Sequence, residues 1–119
     1  MSDATTATLP EISVIVTNRN YRKFLPECLD SLSEQTLKFF EVIVVDDASG
    51  DDSVHYLTRR RDVDCLITFK DNRGTSEASN AGIRAARGKY CVLVNADDTV
   101  RSDFLFKTYS ALRAAQQAN

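Results

Sequence analysis

Hydrophobic positions along the chain follow two rhythms. Four short apolar runs, rich in β-branched residues, cover Ile12–Thr17, Val42–Asp46, Cys65–Phe69 and Tyr90–Val94. Their near-continuous hydrophobicity suits strands covered on both faces rather than strands with one wet side. Each run is followed by a stretch in which apolar residues recur at helical spacing. Strands alternating with helices predict βαβ units, a largely parallel sheet and an α/β fold of three α/β/α layers.

The first helix places Phe24, Leu25, Cys28, Leu29 and Leu32 on one stripe and ends before Thr36. A second, shorter helix takes Ser53 as its cap and reaches the sheet through Val54 and Leu57. The third starts from a Thr75 or Ser76 cap and runs through Ala78, Ala81, Ile83 and Ala85, with Gly88 supplying a positive φ to stop it. The last has Ser102 as cap, Asp103 in its first turn, and Phe104, Leu105, Thr108, Tyr109 and Leu112 along one side. Residues 1–10, rich in Ser, Thr and Ala, read as a flexible tail, and residues 11–119 as one domain. No internal repeat or low-complexity tract divides that domain.

Composition narrows the function classes. A chain of 119 residues with 43% hydrophobic content supports one core. Fifteen Lys and Arg against seventeen Asp and Glu leave a charge of −2, which disfavours nucleic acid as a partner. No apolar run approaches the ~20 residues that span a bilayer, and the start lacks a signal-peptide pattern. The expected location is the cytoplasm, including its membrane-peripheral zone. Cys28, Cys65 and Cys91 are odd in number and widely spaced, which reads as small buried hydrophobes in a reducing compartment. The single His55 lacks a partner at ligand spacing and reads as a surface residue of a helix.

In an open α/β sheet, ligands bind beyond the carboxyl ends of the strands. Those ends are Thr17-Asn18-Arg19-Asn20, Asp46-Asp47-Ala48-Ser49-Gly50-Asp51, Lys70-Asp71-Asn72-Arg73-Gly74 and Asn95-Ala96-Asp97-Asp98. All are polar, and two carry paired carboxylates. Either pair alone is as readily a turn or cap, because Asp bonds nearby backbone N–H groups. Two pairs on one rim must relieve mutual repulsion through a cation, a donor or solvent. Mn²⁺ or Mg²⁺ suits one or two carboxylates and completes its shell with water and phosphate oxygens, which points to a phosphorylated ligand such as a nucleoside diphosphate derivative.

The run Ser13–Asn20, the segment Ser31–Thr36 and the run Glu41–Ser49 resemble the opening of family-two inverting glycosyltransferases. So do Asn72-Arg73-Gly74, Ser79–Ile83, Gly88-Lys89-Tyr90 and Asn95–Asp98, and the series keeps its order and spacing from about residue 12 to residue 105. The resemblance implies a GT-A fold of Rossmann-like character and a nucleotide-sugar donor, commonly UDP-linked. It also implies a divalent metal, transfer with inversion to a saccharide or lipid-linked hydroxyl acceptor, and identity as the N-terminal, donor-binding portion. By the same resemblance, Thr17 sits beside base and ribose, Asp47 accepts from the base's ring N–H, Asp97 lies near the ribose, and Asp98 is the metal ligand.

Three positions depart from the family pattern. Arg19 stands where many members have an aromatic residue that stacks on the base; a guanidinium plane can also stack, and Tyr21 is a substitute. Ser79 stands where members often have Arg just before the Asn, so that a contact near the base or diphosphate is either lost or moved to Arg73 or Arg84. Asn95 replaces a common first Asp. In the family the acceptor half and its proton-accepting acid follow the acidic segment, and this chain presents no candidate catalytic base. The alternative reading is a degenerate nucleotide-sugar-binding or scaffolding domain without transferase activity. A dinucleotide-binding Rossmann domain is disfavoured because Thr17–Tyr21 contains no Gly. An uncovered sheet edge would favour homo-oligomers.

Overall fold

The computed structural model describes residues 9–118. Of the expected tail, residues 1–8 lie outside the described residues, as does Asn119. Strands and helices alternate: β1 (Ile12–Asn18), α1 (Leu25–Ser33), β2 (Phe40–Asp47), α2 (Ser53–Thr58), β3 (Cys65–Phe69), α3 (Thr75–Ala85), β4 (Tyr90–Asn95) and α4 (Phe104–Gln117). The four strands form one parallel sheet in the order β3-β2-β1-β4. From β1 the chain winds to β2 and β3 on one side, then returns across to β4 on the other. The topological switch point therefore lies between β1 and β4, where loops diverge and leave a crevice.

Side chains alternate across the sheet, and so does the core. Val14 and Val16 of β1 and Val42 and Val44 of β2 face one layer, where Leu25, Cys28, Leu29 and Leu32 of α1, Leu57 of α2 and Leu105 of α4 meet them. Ile15, Ile43 and Val45 face the other layer and pack on Ala78 of α3. Each fully buried Leu contributes about 1.5–3 kcal/mol, so the α1 stripe is a main anchor of the first layer. Phe24, expected on that stripe, is instead 42% exposed and sits at the N-cap with Pro26 following in the first turn.

The thin α3 layer differs from expectation. Ala78 and Gly82 are its buried residues, whereas Ile83 is 45% exposed. A Cβ on Gly82 would lie 2.4 Å from Ile15 Cγ2, so the absent side chain is what lets α3 approach the sheet. Gly88 likewise does not stop α3 through a positive φ. The helix ends at Ala86 in extended backbone, and a Cβ on Gly88 would meet the Ser13 nitrogen at 2.7 Å.

The caps also moved. Asp52, Gly74 and Asp103 occupy the N-cap positions of α2, α3 and α4, without side-chain cap hydrogen bonds. Ser53, Thr75, Ser76 and Ser102 do not hold them.

The strand β4 is not covered on both faces. Val92 and Val94 are buried against the first layer, but Cys91 and Leu93 on the α3 side are exposed, Leu93 by 54%. The reason is topological: α3 packs on β1 and β2 and leaves β4 bare. Cys91 is thus an exposed thiol, contrary to expectation, while Cys28 is buried and Cys65 half-buried. Among the described residues no helix is long and apolar enough to cross a membrane.

At the amino ends of the strands, buried Glu41 accepts hydrogen bonds from Ser13 Oγ at 2.6 Å and from the Arg87 N–H at 2.8 Å. The Arg87 guanidinium adds a 3.1 Å contact, and Ser13 Oγ accepts from the Gly88 N–H at 2.8 Å. Burial works against ionisation of Glu41. The Ser13 hydroxyl and the Arg87 donors outweigh it and hold the carboxyl below the usual carboxylate range. The α3–β4 connection is thereby locked at the rim opposite the crevice.

Candidate functional site

Parallel register sets Asn18 beside Asp46 and Thr17 beside Asn95, so the carboxyl ends of β1, β2 and β4 finish on one rim. A cleft of about 410 Å³ opens there, lined by Thr17, Arg19, Tyr21, Asp47, Asn95 and Asp97 together with Gly74, Thr75 and Ala78 at the start of α3. Thr17 Oγ1 donates to Asn95 Oδ1 at 3.1 Å and ties β1 to β4 across the switch point.

The paired carboxylates Asp46 and Asp47 prove not to be a pair in space. Neighbours in a strand point to opposite faces. Asp46 turns to the first layer, where it accepts from Asn18 Nδ2 at 2.8 Å, Ser49 Oγ at 2.6 Å and the Ser49 N–H at 3.0 Å. Asp47 turns to the α3 side and accepts the N–H groups of Arg73 at 2.7 Å and Gly74 at 2.9 Å. Both are buried, and these protein donors relieve their charge. Asp47 thereby holds the β3–α3 loop against the cleft, with one lone pair on each oxygen still uncommitted.

The loops after β1 and β2 are stitched together. Asn20 adopts φ 62° and Ala48 φ 57°, left-handed backbone that Asn tolerates and Ala adopts only under strain. Asn20 Oδ1 accepts the Gly50 N–H at 2.7 Å, and its own N–H donates to Ser49 Oγ at 2.9 Å. Arg19 and Tyr21 flank this stitch and face the cleft. Arg73 is placed differently: its guanidinium lies 4.6 Å from the Phe69 ring centroid, and it is absent from the cleft lining.

The acidic turn follows β4. Asp97 lines the cleft, whereas Asp98 closes the turn through its N–H to the Asn95 carbonyl at 2.9 Å. Both carboxylates are exposed, and neither joins an ion pair among the described residues. No group of three His, Cys, Asp or Glu side chains capable of holding a metal occurs there either. The acidic turn thus offers at most two free carboxylates, a set that fits a Mg²⁺- or Mn²⁺-type ion bound mainly through phosphate and water. Beneath the turn, burial and then the negative charges of Asp98 and Asp97 push the Cys28 thiol up to about 11, which makes it an unreactive packing residue.

A sheet rim of this kind has known counterparts, and a family model described as glycosyl transferase family 2 matches residues 13–118. The chain belongs to glycosyl transferase family 2. Among curated relatives, the uncharacterized glycosyltransferase EpsJ of Bacillus subtilis (strain 168) is 41% identical over 96 residues, covering 79% of this chain and 28% of EpsJ. The chain therefore spans little more than a quarter of that relative. Among solved structures, S. aureus TarS 1-349 in complex with UDP superposes with a TM-score of 0.77 at 28% identity, over 84% of this chain and 31% of that one. The mannosyltransferase PcManGT from Pyrobaculum calidifontis, in complex with GDP-Man and Mn²⁺, gives a TM-score of 0.70 at 31% identity, over 77% of this chain and 29% of that one. Both neighbours share the GT-A type arrangement of parallel sheet and flanking helices.

Two family segments gained a structural meaning that the sequence did not disclose. Gln35 is completely buried and bonds three backbone groups, as developed below. Glu41 builds the lock at the far rim. Glu41 is a polar residue at the start of the apolar run Val42–Val45, a signal by which it could have been singled out, whereas Gln35 sits in the polar stretch Ser33–Thr36 and carries no such signal.

Proposed function

We propose that this chain is the donor-binding part of an inverting glycosyltransferase and that the cleft takes a nucleotide-diphospho-sugar, UDP-linked, with Mn²⁺ or Mg²⁺. The observation that carries the reading is the junction at the switch point: Thr17, Asn95 and Asp97 meet Asp47 around one cleft, and of its two lining carboxylates Asp47 accepts backbone donors while Asp97, in the acidic turn, has no donor among the described residues. The complexes of TarS with UDP and of PcManGT with GDP-Man and Mn²⁺ support the donor class.

In this reading Thr17 and Arg19 flank base and ribose, and Asp47 accepts the base's ring N–H with its remaining lone pairs. Asp97 contacts the ribose, and Asp98 holds the metal. Arg73 reaches the diphosphate by leaving Phe69. A bound cation would offset the charge that develops on the departing diphosphate. The residues themselves orient the donor, with the Thr17–Asn95 bond setting the floor of the cleft. The acceptor is a saccharide or lipid-linked hydroxyl, and the enzyme works in the cytoplasm or at its membrane surface. Self-association through the open edge of β4 belongs to the same reading and is tested by sedimentation velocity.

The decisive experiment is calorimetric titration with UDP, with and without Mn²⁺, on the chain and on Asp98→Ala. Mn²⁺-strengthened binding that disappears in Asp98→Ala supports the assignment. Absence of binding to UDP and to GDP would sink it and favour the scaffolding alternative.

A further inference from the structure

The acidic turn carries no side-chain bonds of its own to fix it, yet the segment that follows it is anchored at several points, and the anchors come from the end of α1. Gln35 is 0% exposed. Its Nε2 donates to the Ser31 carbonyl at 3.1 Å and to the Arg101 carbonyl at 2.5 Å, while its Oε1 accepts the Leu105 N–H at 2.9 Å. One helical turn earlier, Ser31 Oγ donates to the Cys28 carbonyl at 2.7 Å and accepts the Val100 N–H at 3.2 Å. The Thr36 N–H donates to the Ser102 carbonyl at 2.9 Å.

These contacts seize the chain at residues 100, 101, 102 and 105, directly after Asp97 and Asp98. At its other end the turn is held by the Ala96 N–H on the Thr17 carbonyl at 3.0 Å. Ser31 and Gln35 are four residues apart and so lie on the same side of the helix end. A buried amide that makes three backbone bonds is rigid, and removing it leaves the Leu105 N–H without its acceptor and strips a donor from the Ser31 and Arg101 carbonyls, the latter keeping only the Phe104 N–H at 3.0 Å. The same amide supplies the acceptor for the Leu105 N–H that no side chain of α4 provides at its own N-cap.

We propose that Gln35, assisted by Ser31, is the positioning residue for the acidic turn: it fixes the backbone after Asp98 so that the Asp98 carboxylate is held towards a metal-bound diphosphate in the neighbouring cleft. The proposal rests on the donor-binding reading, and it assigns the strength of metal-assisted binding to a residue that touches neither donor nor ion. Outer partners of metal ligands typically set about ten- to a hundredfold of metal affinity.

The test measures UDP binding with and without Mn²⁺ on the wild-type chain, Gln35→Met, Ser31→Ala and Asp98→Ala, with urea unfolding alongside. The expected result is an about tenfold loss of the Mn²⁺-dependent gain in Gln35→Met and a smaller loss in Ser31→Ala. Metal-free UDP binding stays near the wild-type value in both. Combining either change with Asp98→Ala adds nothing further to the loss. A folded Gln35→Met that keeps the full Mn²⁺-dependent gain overturns the proposal, as does one that weakens binding equally with and without metal. If Gln35→Met shows no cooperative unfolding transition, Ser31→Ala decides by the same criterion. A wild-type chain that binds no UDP at all overturns the donor-binding reading itself, a distinguishable result.

Discussion

Replacing Glu41 by Gln removes one negative charge from a site that is 4% exposed while keeping the shape of the side chain. Two of the bonds lost in strength, from Ser13 Oγ and the Arg87 N–H, are largely shielded from water. Hydrogen bonds to a charged group contribute about 1.5–3 kcal/mol and neutral ones about 0.5–1.5, so each bond weakens by about 1 kcal/mol. The Arg87 side chain is 61% exposed, so the ion pair adds only a few tenths to about 1 kcal/mol. The variant should lose about 2–3 kcal/mol at neutral pH, and its urea midpoint should fall by about 1–2 M.

The pH dependence supplies an independent check on the same site. Because the folded carboxyl titrates below the unfolded one, its stabilisation is fully present above the unfolded value, near 4.3 for Glu. That stabilisation is lost as the pH falls through the folded value. Urea midpoints measured from pH 7 down through the acid range should therefore converge for the wild-type chain and Glu41→Gln. A constant difference at every pH would refute the electrostatic account of the lock, and no difference at pH 7 would refute the account altogether.

Gly82→Ala should destabilise by about 1–3 kcal/mol in the same assay, because its Cβ drives into Ile15 and the thin α3 layer must shift. Ala48→Gly should raise the melting temperature by about 2–4 °C, since relief of left-handed strain exceeds the added chain entropy of Gly; calorimetry reads the shift. Alkylation of the native chain with iodoacetamide at pH 8, followed by mass spectrometry, should label exposed Cys91 and spare Cys28 until urea unfolds the protein.

The alternation of β-branched runs with helical stripes was enough to place all four strands, and in Cys65–Phe69 both ends agree. The rim was legible in part: Thr17, Arg19, Asp47 and Asp97 line one cleft, whereas Arg73 and Asp98 are not among its lining residues. What could not be read was which carboxylates remain free. Asp46 and Asp47 look equivalent to Asp97 and Asp98 along the chain. Strand alternation sends the first two to opposite faces and into protein donors, while the last two lie in a turn beyond the strand.

Local periodicity belongs to the sequence because each residue's neighbours at two, three or four positions are set by backbone geometry alone. The strands, the α1 stripe and the acidic rim therefore followed without a structure. Partners dozens of residues away are set by how helices seat on the sheet. Only the tertiary structure could show that Gly82 and Gly88 serve close approach, that α3 leaves Leu93 of β4 bare, and that Gln35 reaches Arg101 and Leu105. Each of these depends on a distance between elements, and a packed interior decides such distances by excluded volume and by the need to pair every buried polar group.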